Sequence, residues 1–416
     1  MRRISNDMPV SDMQFFLKRR ENDISNAQGK ISSQSRLFLL RDDPIAASHA
    51  VRYESYIARL ERFEKNTQYA MEHYDNAYDY LNEATNVVQR IRELAVTGAN
   101  GVYSPEDLRI MGVEVNELLK ELVAISNVVG PDTKQAFAGD KVFTEPFRIV
   151  EGNVEGAGES MIMRVEYRGA GATRTAEIGD NMFIDLDIGG DEAFWAERMQ
   201  ILSRIDASNY RVQQPGSFFI DGVEIFAETG DTLPSIVAKI NDSSAPVKAY
   251  IDPQTRGLAL EGTNAHLIRA EDREGGAAIL RDLGIINGNI VNNAPNWNST
   301  ALVFGGSIFD MVIRLRDGML RGDSDFIGSQ GIAGIDLSIN NLAVKSAEIG
   351  SRQERAEFAW QRINRQIPDV SNMLQREAGL NMETAAMELK MAQFAHQAAL
   401  QSAAKILPSS LLDFLR

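Results

Sequence analysis

The 416-residue chain contains no cysteine. That absence excludes disulfides, thiolate metal sites, iron–sulfur clusters and cysteine nucleophiles together. Histidine is scarce. His49, His73, His266 and His396 are the only four, and none forms a close pair, so a zinc site or a catalytic triad has little to build on. No stretch approaches the roughly 18 to 20 consecutive apolar residues that a membrane span requires. Basic residues number 43 against 58 acidic, and the formal net charge of −15 repels phosphate backbones, so nucleic acid is not an expected partner. The start, Met1-Arg2-Arg3-Ile4-Ser5-Asn6-Asp7, turns polar where a secretory signal needs an apolar run. The expectation is a cytosolic protein, or one exported without such a signal. Composition argues against an enzyme, and no catalytic residue, cofactor or metal is expected.

With 44% hydrophobic and 24% charged residues, the chain can bury real cores. Residues 1 to about 130 read as helix, with Gly and Pro confined to punctuation points. Residues 140 to 300 carry short β-branched runs between Gly, Asp and Asn clusters, and from 306 the helical pattern returns. The expected fold class is therefore α+β: a long antiparallel helical coiled-coil bundle built from both chain ends, with a β-rich inserted middle region. The expected domains are 1–40 with 380–416 as terminal assembly helices, 41–140 with 306–379 as a helical rod, and 141–305 as the insert.

Asp43 before Pro44 is an N-cap with proline at the first helical position. No Gly or Pro follows until Gly98, and a heptad register runs through Ala50, Tyr53, Ile57, Leu60, Glu64, Thr67, Met71, Tyr74, Tyr78, Leu81, Thr85, Val88, Arg92 and Ala95. Such a helix is ~80 Å long and needs partners along its seam. Ser104-Pro105-Glu106-Asp107 opens a second helix with Leu108, Met111, Val115, Leu118, Leu122, Ile125 and Val129 on one side. Ile335, Ile339, Leu342 and Ile349, then Trp360, Ile363, Ile367, Val370 and Leu374, supply the returning helix, with a kink expected at Pro368.

The chain ends differ from this rod. Met13, Leu17, Ile24 and Ile31 form a seam interrupted by Arg20. Met387, Met391, Phe394 and Ala398 form a stripe on the last helix, and Leu411, Leu412, Phe414 and Leu415 form an apolar tip after Pro408. Helices that depend on packing are marginal without it. These residues are the candidate assembly interface, to be covered by other subunits. In the middle, Ser217-Phe218-Phe219-Ile220-Asp221-Gly222-Val223-Glu224-Ile225 reads as a hairpin with an Asp-Gly turn. A short helix over 233–241 and strands at 247–251 and 258–261 complete a ββαββ unit within about 217–285. A second strand group is expected at 161–167, 173–178 and 182–188.

Candidate chemistry yields to plainer readings. Asp42-Asp43 fits helix capping better than acid–base work. Gly169-Ala170-Gly171 lacks the helix and lysine of a phosphate loop. Arg321-Gly322-Asp323 reads as a chance tripeptide between helices, and the sequons at Asn241 and Asn298 carry little information. The tyrosine and methionine stripes at heptad spacing are packing residues before they are a cofactor pocket.

The run Ile31-Ser32-Ser33 to Arg41-Asp42-Asp43-Pro44-Ile45-Ala46-Ala47-Ser48 resembles the N-terminal signature of the flagellin superfamily. So do Leu81-Asn82-Glu83 and Val88-Gln89-Arg90-Ile91-Arg92-Glu93-Leu94-Ala95-Val96, leading to Ala99-Asn100. The Asp-Asp-Pro-x-Ala-Ala form is similar to the hook-associated branch. So are Phe137-Ala138-Gly139 with Pro146-Phe147, Tyr167-Arg168-Gly169, the segment from Gly190 to Phe194, and Leu315-Arg316-Asp317. The resemblance implies a structural adaptor that self-associates in a ring, joining the hook, through a hook-side junction protein, to the flagellin filament. It implies export through the flagellar secretion apparatus, with a flagellar export chaperone holding the C-terminal helix. Two alternatives stand beside it: a filament flagellin, or a carbohydrate-binding or enzymatic module in the β-rich insert.

Overall fold

A computed structural model describes residues 8–37, 43–171, 173–288 and 296–406. In chain order it begins with helices α1 (Met8–Ser33), α2 (Pro44–Gly98) and α3 (Pro105–Ser126). Strands β1 (Phe147–Asn153), β2 (Ser160–Tyr167), β3 (Thr175–Gly179) and β4 (Met182–Asp185) follow, then the single turn α4 (Gly190–Ala193) and β5 (Gln200–Leu202). Next come β6 (Gly216–Ile220), β7 (Val223–Ala227), α5 (Leu233–Asp242), β8 (Val247–Ile251), β9 (Leu258–Gly262), β10 (Ala270–Asp272), α6 (Ile279–Asp282) and β11 (Leu302–Phe304). The chain returns to helix in α7 (Ile308–Arg321), α8 (Ser324–Phe326), a π-helical turn (Ile327–Gly331), α9 (Ile332–Ala378) and α10 (Met382–Ile406). The fold is α+β. Two compact units are present, Met1–Lys65 with Trp360–Arg416, and Asn66–Ala359.

The long helices start where capping chemistry places them. The Asp43 carboxylate accepts from the Ala46 amide at 3.1 Å, and this backbone donor holds the Asp43 carboxyl below its ordinary range. Ser104 and Asp107 form a reciprocal capping box at α3, and Ser307 and Asp310 repeat it at α7. Arg321-Gly322-Asp323 is also cap chemistry: Gly322 ends α7 at φ +71°, and the Asp323 carboxylate accepts from the Phe326 amide.

The buried seam of α2 corrects part of the expected register. Leu60, Phe63, Thr67, Ala70, Tyr74, Ala77, Leu81, Ala84, Val88, Ile91 and Ala95 are buried, whereas Tyr78 and Arg92 face outward. Two consecutive three-residue steps, Ile57 to Leu60 to Phe63, followed by four to Thr67, shift the phase. From there Ala70, Ala77, Ala84 and Ile91 take the alternate seam positions that the expected register gave to Met71, Tyr78, Thr85 and Arg92. On α9 Ile335, Leu342, Ile349, Ala356, Ile363 and Val370 recur every seventh residue and are buried. Pro368 sits exposed within α9 without ending it.

In the larger unit, α3 packs on α7 so closely that a Cβ on Gly112 would meet Leu320 Cδ2 at 3.2 Å. One core joins this pair to the Asn66–Gly98 part of α2, the Ile332–Ala359 part of α9 and the β1–β4 segment. β1 pairs with β2 and β3 with β4, both antiparallel. A second core fills residues 199–286. There Asp221 (φ +48°) and Gly222 (φ +80°) make the hairpin turn between β6 and β7. The ββαββ unit does not close on itself. Its first hairpin joins β10 in one sheet, and its second joins β5 and β11 in another, in the order β11-β5-β9-β8.

Polar residues on the α9 seam hold the segment after β4. Asn341 Nδ2 donates to the Glu192 carbonyl at 3.0 Å, Lys345 Nζ to Glu192 Oε2 at 2.6 Å, and Arg352 Nη1 to the Asp187 carbonyl at 3.1 Å. The Asp187 carboxylate in turn binds Arg174 through two guanidinium nitrogens, at 2.8 and 2.7 Å.

Candidate functional site

In the smaller unit, α1 and α10 pack along each other, and a bridge between Ser35 and Gly379 joins the end of α1 to the start of α10, so the two run antiparallel. The Arg36 amide donates to the Ala378 carbonyl at 2.8 Å and its guanidinium to the Glu377 carbonyl at 2.9 Å. Farther along, Tyr53, Tyr56, Ile57, Leu60 and Phe63 of α2 pack with Ile363, Ile367 and Val370 of α9.

The terminal pair buries little. Met13, Leu17, Ile24 and Ile31 of α1 are half-buried, and Arg20, which breaks their spacing, lies exposed beside Asp23 at 3.4 Å. On α10 a covered stripe is mostly alanine: Ala385, Leu389, Ala392, His396, Ala399 and Ala403. This stripe, at 4-3-4-3-4 spacing, lies beside the bulkier residues of the expected Met387, Met391, Phe394 and Ala398 stripe. Its signal is the seven-residue recurrence of Ala385, Ala392 and Ala399. Met387, Met391 and Phe394 are 58%, 66% and 75% exposed, and Ala398 is exposed beside them. Phe15 and Phe16 on α1 are exposed as well. Leu411, Leu412, Phe414 and Leu415 lie outside the described residues, as does Asp42. The helix thus turns mostly alanine inward and leaves methionine and phenylalanine exposed.

Phe137, Phe147, Tyr167, Phe194 and Arg316, from segments that carry the hook-associated resemblance, lie elsewhere, buried in the larger unit. Phe137, Phe147, Phe194 and Phe309 form a knot with ring centroids 4.9 to 5.7 Å apart. The Tyr167 hydroxyl donates toward the Phe137 and Ala170 carbonyls, each at 3.1 Å. Gly190 must be glycine, because a Cβ there would lie 2.8 Å from both the Phe137 carbonyl and the Phe147 ring. Arg316 is fully buried. It donates to Asn116 Oδ1 at 2.9 Å, to the Ile162 carbonyl at 2.6 Å, and to Asp317 Oδ1 from two nitrogens, tying α7 to α3 and β2.

Among the described residues no cluster of three or more His, Asp or Glu is arranged to hold a metal, and no helix is long and apolar enough to cross a membrane. Asn241, the first sequon, is committed to structure, its amide bonded to both the carbonyl and the N–H of Ala249.

Residues 4–142 match the bacterial flagellin N-terminal helical region. A flagellar filament core protein of Brachyspira hyodysenteriae is 32% identical over 124 residues, 30% of this chain and 44% of that protein, so the chain spans less than half of that relative. Flagellar hook-associated protein 3 of Escherichia coli is 24% identical over 245 residues, 58% of this chain and 70% of that protein. The flagellin FlaB1 of Treponema pallidum is 30% identical over 247 residues, 56% of this chain and 84% of that protein. The chain belongs to the flagellin family.

In this flagellin-family protein the signature of α2 divides by face. Leu81, Val88, Ile91, Leu94 and Ala95 are buried, while Asn82, Glu83, Gln89, Arg90, Arg92 and Glu93 are exposed. Across that outer face Arg90 pairs with Glu114 of α3 at 2.9 Å and Arg92 with Asp336 of α9 at 2.6 Å.

Proposed function

We propose that the protein is a structural subunit of the bacterial flagellum that joins the hook to the filament. It sits in a ring of its own copies, between the hook-side junction protein and the first layer of flagellin. The observation that carries this reading is the outward stripe of α10, Met387, Met391, Phe394 and Ala398, on a helix whose inward face is mostly alanine. Such a pair of helices gains burial only when neighbours cover it. Head-to-tail contacts of this kind close into rings or continue as filaments. The terminal helices are the assembly elements, with Met13, Leu17, Ile24 and Ile31 seating the pair. Leu411, Leu412, Phe414 and Leu415, outside the described residues, remain candidates for the same interface by sequence. The long helices act as a coiled-coil rod, and the β-rich insert projects from it. Export follows the flagellar secretion route, with a chaperone on the C-terminal helix.

The hook-associated branch is favoured by the Asp-Asp-Pro-x-Ala-Ala run and by the aromatic knot that gathers Phe137, Phe147, Gly190 and Phe194. A second reading, a filament flagellin, draws on the match to FlaB1 of Treponema pallidum. Deletion followed by electron microscopy separates them. Complete hooks with flagellin shed into the medium support the junction role. Full-length filaments in the deletion strain reject it, and purified chain that polymerises unaided into long filaments favours the flagellin.

A further inference from the structure

The two cores of the larger unit meet at a cluster of charged groups. The chain passes from the first core to the second between Ala196 and Met199 and returns between Ala301 and Ile308, and an antiparallel bridge of Trp195 with Ser307 ties the two crossings. The loop between β9 and β10 makes a separate contact. Its Leu267 packs against both cores, and the Leu267 amide donates to the Asp191 carbonyl at 3.0 Å. Arg269 reaches from the same loop into the first core. Its Nη2 donates to the Gly169 carbonyl at 2.6 Å, and its guanidinium lies 5.3 Å over the Tyr167 ring.

His266 turns Nδ1 toward the Asn264 carbonyl at 3.0 Å and Nε2 toward Asp221 Oδ2 at 3.1 Å. A carbonyl and a carboxylate only accept, so both bonds form only when the ring carries two protons. The Asp221 carboxylate completes the link by accepting from the Arg269 amide at 2.7 Å. The Asp191 carboxyl is buried. Its Oδ2 lies 3.6 Å from Arg269 Nε, too far for a hydrogen bond, and no other acceptor reaches that nitrogen among the described residues. The remaining charges nearby are committed: Glu192 bonds Lys345, which also bonds Glu348, and the Tyr167 hydroxyl donates toward carbonyls.

We propose that the loop over 263–269 is a proton-held latch between the two cores, closed while Asp191 and His266 carry their protons and opened by losing them. Burial pushes Asp191 up to about 7, opposed by Arg269 and reinforced by Glu192 and Asp221. Against the lowering effect of burial, the hydrogen bond and charge of Asp221 hold His266 above its ordinary value. A group that binds its proton more tightly in the closed form stabilises that form at low pH. Asp191 loses this contribution between about pH 4 and 7, and His266 loses its own as pH rises through its raised value, so both act in one direction. Opening hydrates the carboxylate while the bridged crossings still tether the second core. The latch does not depend on the assembly role.

Hydrogen–deuterium exchange of the full-length chain, read by mass spectrometry and corrected for the intrinsic pH dependence of amide exchange, tests it. Protection of peptides covering 263–270 should fall by about tenfold between pH 5.5 and 7, the extent that one group with a value near 7 imposes. Peptides within α3 and α7 should keep theirs, because the opening is local. Asp191→Asn with His266→Gln, folded by circular dichroism, should hold the change to about threefold or less. Wild-type protection at 263–270 that does not vary with pH, or that falls equally in α3 and α7, overturns the latch whatever the variant does. A tenfold fall that persists in the double variant overturns the assignment to these two groups.

Discussion

Replacing Arg316 with methionine tests whether the larger unit is held by a buried charge network. Methionine follows the path of the arginine stem, so the loss is mainly that of the guanidinium and its bonds. Asn116 Oδ1 and the Ile162 carbonyl are then left buried without their donor, each at a cost of about 1–3 kcal/mol. Asp317 loses both bonds to the guanidinium but keeps some access to water, its side chain being 29% exposed. The expected total is about 3–5 kcal/mol, the range for removing one partner from a buried charged pair. In a unit of this size that lowers the melting temperature by roughly ten degrees. Arg316→Lys should fall between, because one ammonium replaces a fork that reaches three acceptors. Arg316→Met combined with Asn116→Leu should recover part of the loss by removing one orphaned acceptor. Urea unfolding followed by circular dichroism reads the series. An Arg316→Met chain within 1 kcal/mol of wild type would refute the claim that this guanidinium holds α7 to α3 and β2.

Three further outcomes follow from the same geometry. Gly190→Ala places a methyl group 2.8 Å from the Phe137 carbonyl and the Phe147 ring, and should cost about 2–3 kcal/mol in the same unfolding assay. Burial raises the Asp191 carboxyl to about 7, against the opposing pull of Arg269. The folded state therefore holds a proton that the unfolded chain releases near pH 4. Stability from this group is complete below pH 4 and is lost as pH rises through 7. Asp191→Asn should flatten the stability profile between pH 4 and 7, and a profile unchanged by the substitution would exclude this group as its source. Met391→Ser with Phe394→Ser should leave the isolated chain within about 0.5 kcal/mol of wild type, since both side chains are exposed, yet sharply reduce the copies retained at hook ends.

Local chemistry was legible in the residues themselves. Asp43-Pro44 and Ser104-Pro105 mark helix starts because an orphan amide and a fixed φ are satisfied within four residues. Asp221-Gly222 fixes its hairpin for an equally local reason, two adjacent positive φ angles. The seven-residue recurrence named the long helices, but not which of two stripes turns inward. That choice belongs to the partner helix. Where helices approach closely, alanine fits and larger side chains are displaced, so α2 buries Ala70, Ala77 and Ala84 instead of Met71, Tyr78 and Thr85. For the same reason α10 leaves Met387, Met391 and Phe394 outside.

Sequence patterning by itself determined the helical ends and the β-rich middle, because these rest on spacing and on residues near one another in the chain, while short motifs resembled the family that the comparisons with known proteins then showed. Only the tertiary structure decided the fate of Arg316, quoted in the sequence as part of a family motif and found fully buried among acceptors drawn from α3 and β2. It alone divided the ββαββ unit between two sheets, one completed by β10 and the other by β5 and β11 from before and after the unit. Burial and pairing depend on what arrives from distant parts of the chain, and a periodic pattern carries no record of that arrival.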